Sequence, residues 1–168
     1  MPGMTRLHVP VSLRWSDLDA YQHVNNVAMF RLLEDARITA FWRHPEAEDP
    51  WPTAILDTGP HATSHTLVAG QQIEYLRPLE FSRDPVRIEM WIGAIGGASL
   101  EVCYEVYDGA PGGFPRTGPA SGLEPYTRAT TTIVVLDAEA GRPRRLSADE
   151  RAVFAEFAGD PIVFRRRR

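Results

Sequence analysis

The 168-residue sequence contains no lysine and a single cysteine. Schiff-base enzymes need a lysine amine and Walker-type phosphate loops need a lysine, so both classes are excluded. The one cysteine, Cys103, cannot form an internal disulfide or a cysteine-based zinc cluster, which favours a reducing compartment. We expect it to be a small core residue.

Long hydrophobic runs are also absent. The longest uninterrupted aliphatic stretch, Ile133 to Leu136, is far shorter than the roughly 20 residues that cross a bilayer. The first 13 residues lack the basic and apolar regions of a signal peptide. We therefore expect a soluble, cytoplasmic protein that does not contact membranes. The length and the lack of repeats predict a single domain over residues 1–168.

Positive charge is concentrated at one end of the chain. All 18 cationic side chains are arginines, and four of them form a C-terminal tail, 165–168. In the rest of the chain fourteen arginines face 22 acidic residues, a net charge of −8. Because an acidic body repels phosphate backbones, nucleic-acid binding is not expected. The tail is either a solvated terminal segment or a contact for phosphates or an acidic partner.

The N-terminal third predicts a strand followed by a long helix. Apolar and polar residues alternate over 5–15, and Pro10 indicates either an edge strand or the end of a strand. The segment from Val27 to about Trp42 has almost no helix breakers and is apolar on more than one face, which predicts a helix enclosed by other structure. Either Asn25 or Asn26 can cap its N-terminus.

The rest of the chain reads mainly as strands. A Gly/Pro-rich segment, 108–125, predicts a long mobile loop, and Ser147 with Glu150 forms a capping box for a short last helix. The order of elements predicts an α+β fold in which an antiparallel sheet of five or six strands wraps around one long central helix. Four segments rich in β-branched and aromatic residues predict a meander, with a hairpin at Gly96-Gly97: 67–76, 86–95, 99–107 and 126–136.

Residues 14–26 combine two carboxylates, a histidine and two amides just before the long helix. A helix N-terminus offers unpaired N–H groups and partial positive charge, which suit an anion or a polarised carbonyl oxygen. A chain reversal can bring Asp19 beside Asn26, seven residues on. The same residue types are common in turns and caps, and we expect Asp17 to act as a cap or to pair with Arg14.

Other chemical sites are weaker candidates. Glu34 and Asp35 lie in the middle of the predicted helix, where ion pairs with Arg31 and Arg37 explain them better than a role as catalytic base. No serine lies in a G-x-S-x-G elbow and no G-x-G-x-x-G follows a strand. The histidines of HATSH, residues 61–65, stand in a Pro/Gly-rich setting, so no metal site is expected.

Two segments carry a resemblance to a known family. The run DLDAYQHVNN followed by VAMFRLLEDAR, residues 17–37, resembles the signature of hot-dog-fold acyl thioesterases, the 4-hydroxybenzoyl-coenzyme A thioesterase-like superfamily. Residues 72–78, QIEYLRP, resemble the family's strand that ends in a Tyr-x-Arg-Pro turn. The order of strands agrees from about residue 6 to 137, whereas the loop at 108–125 has no counterpart in the short members.

The resemblance implies a homodimer or homotetramer with acyl-thioester sites at a subunit interface. It implies no metal and no cofactor apart from the coenzyme A or phosphopantetheine of the substrate. The motif aspartate falls on Asp19, which would act as nucleophile or as general base on water. The backbone N–H at or near Asn26 would polarise the thioester carbonyl. His23 would either take part directly or order the loop.

Three further residues are expected to bind substrate or cofactor. Tyr21 stands where plant relatives have an asparagine of the site, so their fuller network is not expected here. Asn25 belongs to the same motif. Arg77 would either bind cofactor phosphate or brace the loop that it begins.

The sequence therefore predicts hydrolysis of the thioester of an acyl-CoA or an acyl-carrier protein. An (R)-specific enoyl-CoA hydratase shares the fold and also uses an Asp and a His, but there they lie five residues apart, whereas here the spacing is four. A third alternative is an acyl-binding protein that keeps the fold without turnover.

Overall fold

A computed structural model describes residues 4–166 and contains six strands and two α-helices. The last two arginines of the predicted basic tail lie outside the described residues. The order and content of elements confirm the predicted α+β class. No helix in the described part of the chain is long and apolar enough to span a membrane. The elements are β1 (Thr5–Val11), α1 (Asn26–Phe41), β2 (Ser64–Tyr75), β3 (Val86–Ile95), β4 (Ser99–Tyr107), β5 (Thr117–Pro119), β6 (Thr127–Asp137) and α2 (Ala148–Ala155).

The six strands form one antiparallel sheet in the order β2-β6-β4-β3-β1-β5. The predicted hairpin is confirmed, since Gly96 N donates to Ser99 O at 2.8 Å between β3 and β4. The predicted meander is wrong for β2, which lies at the far edge beside β6. Turn chemistry between neighbouring segments cannot reveal this pairing, because β2 and β6 are distant in sequence.

Helix α1 packs against the inner face of the sheet. Asn25 is the N-cap, and its Oδ1 accepts a hydrogen bond from Val27 N at 2.8 Å. Leu32, Leu33 and Ala36 are fully buried against apolar residues of the strands. The predicted long helix is therefore confirmed, with its start and end each within one residue of the prediction, but its buried residues lie on the one face that meets the sheet, and Val27 and Glu34 are exposed.

Helix α2 closes one end of this core. Ser147 and Glu150 form the predicted capping box, in which the Ser147 side chain accepts from Glu150 N and the Glu150 carboxylate accepts from Ser147 N. Phe154 packs edge-on against Phe41 of α1, with ring centroids 5.2 Å apart.

The sequence predicts that segment 108–125 is a loop. This prediction is wrong for the centre of the segment, which forms β5. This short strand pairs with β1, and His8 N also donates to Arg116 O at 2.7 Å. The backbone groups on the open side of β1 need hydrogen-bond partners, and the segment supplies them despite its prolines. Beyond β5, Ser121 N donates to the buried carboxylate of Glu89 at 3.2 Å.

Glu89 belongs to a charged cluster on the outer face of the sheet. Arg6 Nη1 donates to Glu89 Oε2 at 2.9 Å and to Glu105 Oε2 at 2.6 Å. Its guanidinium also lies over the Trp91 ring, 3.8 Å from the centroid. Burial lowers the pKa of neighbouring His8, which favours its neutral form. Arg6 therefore holds two carboxylates and an indole together under the 108–125 segment.

Candidate active site

A tight reversal precedes α1. Leu18 and Val24 form an isolated antiparallel bridge, and Asp19 N donates to His23 O at 2.8 Å. Gln22 N donates to Asp19 O at 3.0 Å, and Gln22 adopts a φ of +63°. The predicted chain reversal is therefore present, and it returns the chain toward the N-terminus of α1.

Asp17 fixes this reversal to the helix. Both of its carboxylate oxygens accept from Arg31 Nη2 at 2.9 Å, and Oδ2 also accepts from Arg14 N at 2.7 Å. Its backbone oxygen accepts from Asn25 N at 2.7 Å. Asp17 thus caps the backbone of Arg14 as predicted, but its ion pair is with Arg31 on α1 and not with the Arg14 side chain.

The charges in the middle of α1 behave only partly as predicted. Asp35 forms the expected ion pair with Arg31, one turn earlier on the helix. Arg37 is buried and donates to the Tyr104 hydroxyl at 3.0 Å instead of pairing with an acid. Glu34 is exposed. The helix is tied to the sheet by Arg37 and to the reversal by Arg31.

An open cleft of about 440 Å³ lies between the reversal, the start of α1 and the end of β2. Asp19 Oδ1 is held inside the turn by Tyr21 N at 2.8 Å and His23 N at 3.2 Å. Its Oδ2 has no hydrogen-bond partner among residues 4–166. The cleft is lined by Asp19, His23, Val24, Asn26, Met29, Tyr75, Leu76, Arg77, Pro78, Leu79 and Thr127.

The first residue of α1, Asn26, lines the cleft and has a backbone N–H that is unpaired among residues 4–166. Asn25 Oδ1 is occupied by Val27 N, and Asn26 N has no acceptor in the described chain. The first N–H groups of a helix lack partners within it and carry partial positive charge. Asp19, with a free carboxylate oxygen, and Asn26, with an N–H unpaired in the described chain, thus line the same cleft.

Tyr75 also lines the cleft and is not among the predicted site residues. Its hydroxyl donates to Asn26 O at 2.9 Å and so joins the end of β2 to the first residue of α1. Burial raises the pKa of Tyr75, which keeps the hydroxyl protonated as a donor. The only signal for it in the sequence is its place in the Tyr-Leu-Arg-Pro segment.

His23 and Arg77 lie at the cleft as the sequence suggests. His23 is half-buried, and its ring has no hydrogen bond to another described residue. The Arg77 guanidinium lies 3.7 Å from the centroid of the Tyr126 ring and donates to Glu124 O at 2.9 Å. Arg77 therefore braces the end of the 108–125 segment while lining the cleft.

Tyr21 and Asn25 do not line the cleft. Tyr21 is 80% exposed and borders a separate hollow with Trp15 and Phe81, whose rings are stacked. Asn25 is occupied as the helix cap. A binding role for either residue stays a prediction.

The backbone of Gln22 allows a test of the reversal. The left-handed region costs a non-glycine residue about 1 to 2 kcal/mol, so Gln22→Gly is expected to raise the free energy of unfolding by about 1 kcal/mol. Urea denaturation would measure this change. Ala20→Gly is the matched control, because Ala20 is exposed in the same turn without a positive φ. Equal changes in the free energy of unfolding for the two substitutions would contradict the view that the positive φ of Gln22 is strained.

The family model of the thioesterase-like superfamily matches residues 13–156, so the chain belongs to that superfamily. The uncharacterised protein YsmA of Bacillus subtilis is 32% identical over 103 residues, which are 60% of this chain and 62% of that protein. The match thus spans less than two thirds of that relative's length.

Solved structures share the fold. A predicted thioesterase from Bacillus stearothermophilus has a TM-score of 0.66 at 17% identity, covering 93% of this chain and 98% of its own. A thioesterase from Thermus thermophilus, solved with coenzyme A and Zn, has a TM-score of 0.61 at 27% identity, covering 96% and 100%. These likenesses confirm the predicted hot-dog fold. Among residues 4–166, no three or more histidine, cysteine, aspartate or glutamate side chains group as metal ligands would.

Proposed function

We propose that the protein hydrolyses the thioester of an acyl-CoA or an acyl-carrier protein to a free acid and a thiol. One observation carries the proposal: Asp19, whose Oδ2 has no partner in the described chain, and Asn26, whose N–H is unpaired there, line one cleft. A carboxylate and an oxyanion donor are the two groups that this reaction needs.

The chemistry follows from these two groups. A thioester carbonyl that accepts from Asn26 N would gain stabilisation as negative charge develops on its oxygen, typically about 2.7 to 4 kcal/mol for one donor. Asp19 would then take a proton from a water molecule that attacks the carbonyl carbon, or attack that carbon itself to form a mixed anhydride that water hydrolyses; in both routes the C–S bond breaks and the thiolate leaves. A thiolate is a good leaving group, so the reaction needs no strong acid in the cleft.

A homodimer, or a dimer of dimers, is part of the proposal. The edge strand β2 pairs with β6 on one side only, and its Leu67 and Val68 are exposed. Val27 of α1 is 71% exposed near the cleft. Unpaired strand edges and exposed apolar residues favour pairing with a second copy. We infer that this pairing completes the acyl site.

Coenzyme A thioesters are the first substrates to test. The Thermus thioesterase at 27% identity was solved with coenzyme A, which supports this choice. Thiol release should be followed over acyl-CoAs of varied chain length and over aromatic acyl-CoAs. We expect steady release of thiol from at least one class. Hydration of crotonyl-CoA without thiol release would favour a hydratase, and binding without either reaction would favour an acyl-binding protein.

A further inference from the structure

The chain beyond α2 crosses the outer face of the sheet. Gly159 N donates to Ile92 O at 2.9 Å, and the Trp91 indole N–H donates to Asp160 O at 2.8 Å. Both contacts are with β3. The segment is therefore bound to the sheet at the start of its path.

The path continues to the opposite edge. The backbone of Ile162 lies against the buried Cys103 thiol on β4, and Arg165 N donates to Glu74 Oε1 on β2 at 3.3 Å. Trp91 and Cys103 are direct partners across the β3–β4 pair. The segment thus crosses from β3 to β2 and brings its first terminal arginines to the strand that ends at the cleft.

A hollow of about 520 Å³ lies where this segment meets β2. Arg165 is 71% exposed at its side chain, and its Nε lies 4.0 Å from Glu74 Oε1. Arg166 has no acidic partner within residues 4–166. An ion pair of this length with an exposed arginine holds little energy, so both guanidiniums are available to an anion. The hollow is lined by Gln72, Ile73, Glu74, Tyr75, Phe164, Arg165 and Arg166.

The hollow adjoins the cleft, because Tyr75 lines both. Apart from its terminal arginines the chain has a net charge of −8, which repels phosphates from most of its surface. Arg77 is the arginine that lines the cleft, but its guanidinium stacks on the Tyr126 ring and donates a hydrogen bond to Glu124 O. Among the described residues, Arg165 and Arg166 are the cationic side chains that line the hollow, whereas the guanidinium of Arg128, the residue opposite Glu74 on β6, lies beside Glu105.

We propose that Arg165 and Arg166 bind phosphate groups of coenzyme A while its thioester lies in the Asp19 cleft, an inference that rests on the proposed function. Arginine forks bind phosphate oxygens by paired, charge-assisted hydrogen bonds. The hollow has the volume of a small-molecule site. A folded carrier protein needs a contact area of about 800 Å² on each partner, so these two arginines and one glutamate fit a nucleotide better.

Calorimetric titration with free coenzyme A tests the inference without depending on turnover. The double variant Arg165→Gln/Arg166→Gln is expected to weaken coenzyme A binding about tenfold, as loss of charge-assisted contacts at an exposed site would. Pantetheine, which lacks the phosphates, should bind both proteins equally. The control Arg142→Gln/Arg145→Gln removes the same charge from exposed positions beyond the opposite end of β6 and should bind coenzyme A as the parent does.

Three results would overturn the inference. The first is unchanged coenzyme A affinity in the double variant, and the second is no binding of coenzyme A by the parent protein. The third is a loss of pantetheine affinity in the double variant as large as its loss of coenzyme A affinity, which would indicate a disturbed cleft. Slower turnover of an acyl-carrier protein with unchanged coenzyme A affinity would assign the arginines to a protein partner instead. Arginine-dependent binding of coenzyme A without hydrolysis of any thioester would support the inference and refute the proposed catalysis.

Discussion

Replacement of Asp19 by asparagine is expected to lower kcat for thioester hydrolysis about 10²- to 10⁴-fold with little change in KM. The asparagine Oδ1 can still accept from Tyr21 N and His23 N, so the reversal should keep its shape. Only Oδ2 changes, and an amide nitrogen in its place can neither take a proton from water nor attack a carbonyl. Steady-state thiol release on the best acyl-CoA gives both constants.

Glu80→Gln is the matched control for this substitution. The backbone of Glu80 forms an isolated β-bridge with that of His23, and its side chain is exposed and does not line the cleft. The variant therefore removes a carboxylate beside the same turn. We expect wild-type kcat from it. Unchanged kcat in Asp19→Asn, with unfolding also unchanged, would show that the carboxylate does not take part in the reaction.

Replacement of Arg6 by methionine is expected to lower the free energy of unfolding by about 3 to 5 kcal/mol. The substitution leaves Glu89, which is fully buried, and Glu105 without their shared guanidinium. Arg87 and His8 stand 3.5 and 3.8 Å from Glu89, too far for strong charge-assisted hydrogen bonds. Methionine keeps most of the aliphatic volume over Trp91, so the loss reports on charge and not on a cavity.

Urea denaturation at neutral pH measures this loss, with Arg142→Met as the control. Arg142 is exposed and its side chain makes no hydrogen bond or ion pair in the described chain, so its replacement should change little. Adding Glu89→Gln to the Arg6 variant is expected to recover part of the stability, because it removes an unpaired buried charge. A small loss in Arg6→Met alone would contradict the assigned role of the cluster.

Local signals in the sequence were sufficient for the two α-helices and the five longer strands. The bounds of β3 and β4 follow from alternation interrupted by glycines, and the start of α1 follows from the Asn25 cap. The partner of β2 could not be predicted, because the pairing depends on the whole sheet. The strand β5 was also missed, since its Thr-Gly-Pro sequence has no strand propensity and forms only against the open side of β1.

In the candidate site, too, local contacts were predictable from the sequence and long-range contacts were not. The presence of Asp19 and Asn26 at one cleft was predictable, because a turn-forming segment runs directly into a capped helix. The ion pair of Asp17 was not, since Arg31 is 14 residues away and becomes its neighbour only when the reversal folds onto α1. Tyr75 reaches Asn26 from 49 residues away, and no local pattern predicts that contact.

The position of β2 also affects how the chain acquires its structure during synthesis. Tyr75 pairs with Thr127 and Ser64 with Asp137, so the two strands join residues between 52 and 73 positions apart. Pairing between strands this far apart in sequence forms slowly compared with a hairpin such as β3–β4. On the ribosome, β2 emerges well before its partner and has no strand to pair with until β6 follows. A nascent chain that stops short of residue 127 would expose this edge, and ribosome stalling there should favour aggregation.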